Sequence, residues 1–256
     1  MSTKRNHHDY FEKAAMYDLL AMYYKYIDPS THMMYYQKHL KYMHKAIQSY
    51  RTDMMPGNNM GGAQPARVRV LHAAPGAGNV DIYVNGNRIL RDFPFKESSN
   101  YLSLPAGKYQ IDIYPAGNMV STVISKKVTV EGGRFYTLAA IGQPDKHLRL
   151  LAYEDEPRVP AGETKVRFIH LSPDAPAVDI AVKNRDVIFP NVSYKQATNY
   201  LGLSPMTVDL EARVAGTNNV ALSLPGVQLR PNEVYTIVAV GLLSGEPELE
   251  TIVLRG

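Results

Sequence analysis

Two histidine–aspartate pairs raise the first question of chemistry. His72 and Asp81 lie nine residues apart, and His170 and Asp179 repeat that spacing. In each place the histidine closes a strand-like run, a proline turn follows, and the aspartate opens the next run. An imidazole oriented by a carboxylate is a familiar general base, so a hydrolase centred on His170 and Asp179 is one reading. Catalysis would also need a nucleophile or a metal, and the first copy has Ala74 where the second has Ser172. An imidazole at a strand end can instead bond loop carbonyls, while an aspartate caps the amides of a turn. The structural reading is preferred, and no catalytic residue is assigned.

Other candidates are weaker. Tyr136 and Tyr235 each begin an apolar strand just after a turn, the placement of a tyrosine corner whose hydroxyl bonds back to upstream backbone. Tyr101 and Tyr200 read as packing residues rather than carbohydrate stackers. Gly-x-Ser-x-Gly, the phosphate-binding Gly-x-x-x-x-Gly-Lys and a dinucleotide fingerprint after a strand are all missing. Pro75-Gly76-Ala77-Gly78 joins two strands with no helix behind it to hold a phosphate. The acidic run Glu154-Asp155-Glu156 falls in an expected linker and lacks calcium-loop spacing. With no cysteine, disulfides, thiolate zinc sites and iron–sulfur clusters are excluded. No cofactor and no metal is implied, and the chain reads as a non-enzyme.

The elements that position these residues come in two copies. Arg67 to Val84 (RVRVLHAAPGAGNVDIYV) answers Lys165 to Val182 (KVRFIHLSPDAPAVDIAV) at an offset of 98, with half the positions identical. With one inserted residue the match continues: Asn100-Tyr101-Leu102 with Asn199-Tyr200-Leu201, Tyr136-Thr137 with Tyr235-Thr236, Gly142 with Gly241. A period this long means two copies of a small domain rather than a solenoid. Val68 and Val70 alternate with Arg67 and Arg69, a half-buried strand. Asn85-Gly86 supplies the positive φ angles of a tight hairpin. The nearly continuous apolar runs 135–141 and 234–240 suit central strands covered on both faces. Turn residues every 8–12 positions, bounding seven or so strands per copy, predict two antiparallel sandwiches at 66–153 and 165–256, joined by a linker at 154–164.

The first quarter is a different object. Nine of 18 tyrosines, nine of 11 methionines and five of eight histidines lie before residue 65. Phe11, Ala15, Leu19, Met22, Tyr23 and Tyr26 gather on one face of a helix expected from Asp9 to Ile27. Asp28-Pro29 interrupts it, and Ser30 or Thr31 can cap a second helix from His32 to Tyr50. There Met33, Tyr36, Leu40, Met43, Ile47 and Tyr50 step by threes and fours, as in a heptad seam. Residues 1–52 are thus expected to form a helical hairpin arm, and 53–65, with two prolines and three glycines, a flexible linker. The seam must pack on the following domains, on a second copy or on another partner. No histidine pair has the i, i+4 spacing of a helical zinc site: His32 and His39 are seven apart, His39 and His44 five.

The string His170 to Asp179 (HLSPDAPAVD) resembles the hallmark of the bacterial DUF4397 domain, and His72 to Asp81 (HAAPGAGNVD) keeps its His, Pro and Val-Asp but lacks the Ser and the first Asp. The resemblance implies a mainly β fold of two tandem immunoglobulin-like β-sandwiches, often found in envelope or surface proteins, and no known reaction. It does not cover the arm, whose Tyr-, Met- and His-rich composition is similar to that of proteins deposited on bacterial spores. The start, MSTKRNHHDY, shows no apolar leader core, so synthesis in the cytoplasm is expected, with a spore surface as one destination. No run of about 18 apolar residues crosses a membrane, and the net charge of +4 does not call for nucleic acid. The expected role is a structural or assembly protein of a surface layer, its arm binding a second copy or another surface-layer protein. The alternative is an envelope-associated module that binds a glycan or protein through sandwich loops.

Overall fold

The structure, a computed structural model, describes residues 7–25, 27–53, 64–118, 120–145 and 147–256, with no side-chain placement at 7, 8 and 48–53. The expected linker 53–65 lies almost entirely outside the described residues. The chain divides into two compact units, Met1–Gly62 and Ala63–Gly256.

The first unit is a hairpin of α1 (His7–Tyr24) and α2 (Pro29–Asp53). Its turn differs from the expected one in which residue caps the second helix. Asp28, not Ser30 or Thr31, is the N-cap: its carboxylate accepts the Ser30 and Thr31 amides at 2.9 and 3.2 Å and the Thr31 hydroxyl at 2.6 Å. Thr31 and then Ser30 hold that carboxyl below the usual carboxylate range. Pro29 suits the first helical position, where its missing N–H costs nothing.

Among its described residues the second unit has sixteen strands that fall into four sheets. β1 (Ala66–Ala73), β4 (Leu102–Leu104), β7 (Phe135–Ile141) and β8 (Arg149–Asp155) form one sheet in the order β4-β1-β7-β8. β2 (Val80–Val84), β3 (Asn87–Phe93), β5 (Gly107–Pro115) and β6 (Ile124–Val130) form the facing sheet, ordered β3-β2-β5-β6. Val68, Val70, Ile82, Ile111, Ile113 and Leu138 fill the space between them. The second copy repeats this with β9 (Thr164–His170), β12 (Leu201–Leu203), β15 (Val234–Val240) and β16 (Glu250–Arg255) in one sheet. Its other sheet holds β10 (Val178–Val182), β11 (Val187–Val192), β13 (Met206–Val214) and β14 (Val220–Leu229), around Phe168, Ile180, Tyr235 and Ile237. The fold is two tandem immunoglobulin-like β-sandwiches preceded by a helical hairpin. The pairing is antiparallel except for one parallel pair per sandwich, β1 with β7 and β9 with β15. Each copy has eight strands, because the short β4 and β12 pair at the sheet edge.

Left-handed backbone positions repeat as faithfully as side chains. Asn85 and Asn184, Asp92 and Asn191, Lys96 and Lys195, and Gly142 and Gly241 all carry positive φ. At Gly142 and Gly241 a side chain is also excluded sterically, since a Cβ would clash with the carbonyl oxygens of His147 and Glu248.

The largest departure from the sequence reading lies between the sandwiches. Leu71, Ala73, Ala139, Ile141 and Tyr153 form one shared core with Ile169, Leu171, Val238, Val240 and Leu254. Equivalent positions of the two copies thus face each other. This overturns the reading of Arg69 as a solvent-facing residue of a half-covered strand: Arg67 is exposed, but Arg69 is buried, as is its equivalent Arg167. It also moves Glu154 and Asp155 out of the expected linker into the end of β8, with Asp155 buried.

Arg69 Nε donates to the Thr137 hydroxyl at 2.8 Å, and Arg69 Nη1 to the carbonyl of Arg255 at 2.7 Å. Arg167 does the same with Thr236 and the Glu154 carbonyl, at 3.1 and 2.7 Å, and its Nη2 pairs directly with Asp155. Asp155 also accepts the hydroxyls of Thr137 and Tyr101 at 2.6 and 2.7 Å and lies 3.7 Å from Arg69 Nε. Removing one partner of a buried charge network leaves uncompensated charge without water, which costs about 3–5 kcal/mol. Asp155→Asn is expected to lower the unfolding free energy, read from denaturant titration, by that order, with a matching fall in the midpoint. Arg134→Ala, which breaks an exposed pair with Glu154, is expected to leave stability nearly unchanged, because solvent screens such pairs. Equal midpoint shifts for the two variants would refute the assignment of the network.

Candidate functional site

The repeated histidines sit where β1 and β9 leave the sheet. Both are buried. His72 Nε2 bonds the carbonyl of Gly78 at 2.8 Å and His170 Nε2 that of Pro176 at 3.0 Å. Each imidazole therefore staples the loop that follows its own strand. The aspartates are turned to other work. Asp81 accepts the Asp92 amide at 2.8 Å, with Arg88 Nη1 and the Gly117 amide at 3.4 and 3.5 Å. Asp179 accepts the amides of Asn191 at 2.6 Å and Gly216 at 2.8 Å. Each carboxylate thus ties the bulge of one neighbouring strand to the turn after the other. The Asp92 amide first, helped by Gly117 and Arg88, holds the Asp81 carboxyl below its ordinary range. The structure does not bring either histidine to its aspartate, so no acid–base dyad forms from these pairs.

Ser172 and Asp174, which the first copy lacks, have a comparable role. The Asp174 carboxylate accepts the amides of Leu243 and Ser244 at 2.8 and 3.0 Å and the Ser172 hydroxyl at 3.2 Å. It anchors the β15–β16 loop. Partial burial opposes its ionisation, but the two amides and the hydroxyl outweigh it and keep the carboxyl below its usual range.

The tyrosines are equally engaged. The Tyr136 hydroxyl accepts the Glu131 amide at 3.3 Å and the Tyr235 hydroxyl the Arg230 amide at 3.0 Å, closing the turn before β7 and β15. The guanidinium of Arg69 lies 4.8 Å from the Tyr101 ring and that of Arg167 4.7 Å from Tyr200. Burial, and then the Asp155 charge, push the Tyr101 phenol well above its usual value. Both rings cover buried cations, and neither is free to stack on a sugar. The sequence pointed to the tyrosines but not to Arg69, Thr137, Asp155, Arg167 and Thr236. The signal that could have found them is the recurrence of Val-Arg-Val/Phe and Tyr-Thr at the same repeat positions.

In the hairpin the helices meet through Ala14, Ala21 and Ala46, all buried. Beside the alanines runs a ladder of stacked rings, Tyr10–Tyr42–Tyr17–Tyr35–Tyr24, with centroids 5.4–6.4 Å apart. Lys13, Lys38 and Lys45 lie over those rings. His32 and His39 donate from Nδ1 across the helix pair to the carbonyls of Ala21 and Ala14, at 2.8 and 3.0 Å. Among the described residues no three His, Asp or Glu side chains converge to hold a metal. The heptad residues face elsewhere: Met33, Tyr36, Leu40 and Ile47 are 52%, 42%, 50% and 43% exposed, with Met43 half-buried. The Tyr50 side chain lies outside the described residues.

Burial pushes both His72 and His170 below the ordinary imidazole value of 6.5, against the pull of their carbonyl bonds. A depressed folded-state pKa means that the unfolded chain binds more protons in acid. The associated stability is therefore complete above 6.5 and is lost as pH falls below it. Melting temperature is expected to drop from about pH 7.5 to about pH 5, and the double variant His72→Gln, His170→Gln to show a flatter profile. Identical profiles would overturn the assignment.

The second unit matches known proteins at the level of a family model. No curated protein sequence matches the chain. Among solved structures, the CBM26-family module CBMbc of Amy13K from Eubacterium rectale, crystallised with maltoheptaose, is similar over 74% of this chain and 97% of its own, at 9% identity and a TM-score of 0.25. Two candidate cell adhesion proteins are similar too. That from Bacteroides fragilis covers 74% of this chain and 97% of its own, with 12% identity and a TM-score of 0.19. That from Bacteroides eggerthii covers 78% and 98%, with 8% identity and a TM-score of 0.21. At such scores the architecture rests on the strand pairing itself. Residues 66–181, which take in the whole first sandwich and run through β9 into β10, match the model of DUF4397, a domain of unknown function.

Proposed function

We propose that the protein is a non-enzymatic binding and assembly module of a bacterial surface layer, in which the helical hairpin docks on a second copy of itself. The observation that carries this reading is the apolar face the hairpin leaves open. Helical spacing places Phe11, Leu19 and Met22 of α1 on the same side as Met33, Tyr36, Leu40 and Ile47 of α2, and all seven are exposed. Lys13, Lys38 and Lys45 are drawn to the other side by the tyrosine rings. An isologous contact between two such faces therefore brings no lysines of that group together, and it completes a four-helix bundle. The paired sandwiches supply a stiff body, since equivalent strands share one core.

Support for a non-catalytic role comes from the repeated polar residues, each of which is spent on backbone groups or on the buried arginines. Among the described residues no helix is long and apolar enough to cross a membrane. Placement on a spore or appendage rests on the composition of the arm.

Burying a leucine or isoleucine side chain contributes about 1.5–3 kcal/mol. The double variant Leu40→Asp, Ile47→Asp is expected to weaken association of the full chain by more than about a hundredfold, with unchanged helix content by circular dichroism. Light scattering checks this directly. A wild type that stays monomeric at high concentration, or a variant that associates as the wild type does, would refute arm-mediated docking.

A further inference from the structure

The two copies place equivalent residues at two corners of the sandwich interface, and the corners are not alike. By the strand register, Arg149 faces Ile141 at the start of β8, and Glu250 faces Val240 at the start of β16, so Arg149 and Glu250 are equivalents. Lys96 and Lys195 are equivalents as well, both at positive φ in the loop before the short edge strand. At one corner Lys96 forms an ion pair with Glu250. At the other, the same geometry sets Lys195 beside Arg149 in place of a carboxylate. Neither has an ion-pair partner among the described residues.

Those two cations line a cavity of about 140 Å³ together with Gln143, His147, Pro173 and Tyr194. Where the first corner has Phe95, this one has Tyr194 and gains a hydroxyl. Gln143 is part of the cavity wall, and its side-chain oxygen is buried without a hydrogen-bond partner among the described residues. An unpaired buried acceptor costs free energy unless something supplies a proton to it. Two cations without a carboxylate partner line one small space and an unmet acceptor lies in its wall, and a ligand carrying both a negative oxygen and a hydroxyl answers both.

We propose that this corner binds a small hydroxyl-bearing oxyanion, with Arg149 and Lys195 holding the charged oxygens and Gln143 accepting from the hydroxyl. The cavity is well below the roughly 300–1,000 Å³ of ordinary ligand pockets, so it takes a single head group and not an oligosaccharide. Hydrogen phosphate and the end of a sugar acid share that chemistry. Arg149 meets such a group with a bidentate fork and Lys195 with a point charge.

The test uses the full chain and follows melting temperature and calorimetric binding with sodium phosphate, sodium glucuronate and sodium sulfate, each against sodium chloride of equal ionic strength. A saturable rise with phosphate, glucuronate or both, exceeding that with sulfate, is the expected result, and the stronger ligand identifies the source. Arg149→Glu rebuilds the lysine–glutamate pair of the opposite corner. It is expected to fold, to melt no lower than the wild type without ligand, and to bind at least about tenfold more weakly. Lys195→Met is expected to lose binding likewise and serves if the first variant does not fold. No response above chloride, a response to sulfate as large as to the others, or an undiminished response in the folded variants would overturn the proposal.

Discussion

The outward faces of β1 and β7 bury Leu71, Ala139 and Ile141 against Ile169, Val238 and Val240 of β9 and β15, and between these sheets two guanidinium groups must be held out of water. Arg69 and Arg167 are each 4% exposed as side chains, and Asp155 is 2% exposed. Desolvation of a charge is costly unless every donor is met. Here the threonine opposite each arginine in the parallel ladder, a carbonyl from the facing sandwich, a tyrosine face and one shared carboxylate meet the donors. The parallel pairs β1/β7 and β9/β15 are what bring Thr137 and Thr236 into register with the arginines. Everything at the ends of the sandwiches hangs on strands fixed this way.

Those ends are held by side chains aimed at backbone. His72 and His170 secure the loop after their strand, Asp81 and Asp179 link three strands around a bulge, and Tyr136 and Tyr235 close a turn. A polar motif repeated in both copies invites a catalytic interpretation, yet the same residues satisfy amides and carbonyls that irregular backbone leaves open. The asymmetries between the copies carry more functional information than their shared motif. Ser172 and Asp174 against Ala74 and Gly76 mark a differently anchored loop. Arg149 against Glu250 leaves one corner of the interface with an excess of positive charge.

The hairpin solves a different packing problem with different residues. Alanines let α1 and α2 approach closely, and tyrosines stack along the seam beside them. Its larger aliphatic side chains are consequently displaced outward. The heptad spacing of Met33, Tyr36, Leu40, Met43 and Ile47 is real on α2, but the partner of that stripe is not α1.

Periodicity and turn chemistry by themselves determined the two-copy organisation, the helical hairpin and the sandwich class. Alternation of period two, Asn85-Gly86 and the glycines at 142 and 241 are local constraints that act wherever the chain is placed. Three matters were decided only by tertiary structure. Arg69 looks like a solvent-facing residue because an alternating strand does not reveal whether its polar face will be covered, and here a second sandwich covers it. Asp155 looks like part of a polar linker because its two arginine partners are 86 and 12 residues away in sequence. The choice of Ala14, Ala21 and Ala46 over the heptad stripe as the hairpin interface depends on how closely two helices can approach, a property of the pair and not of either segment.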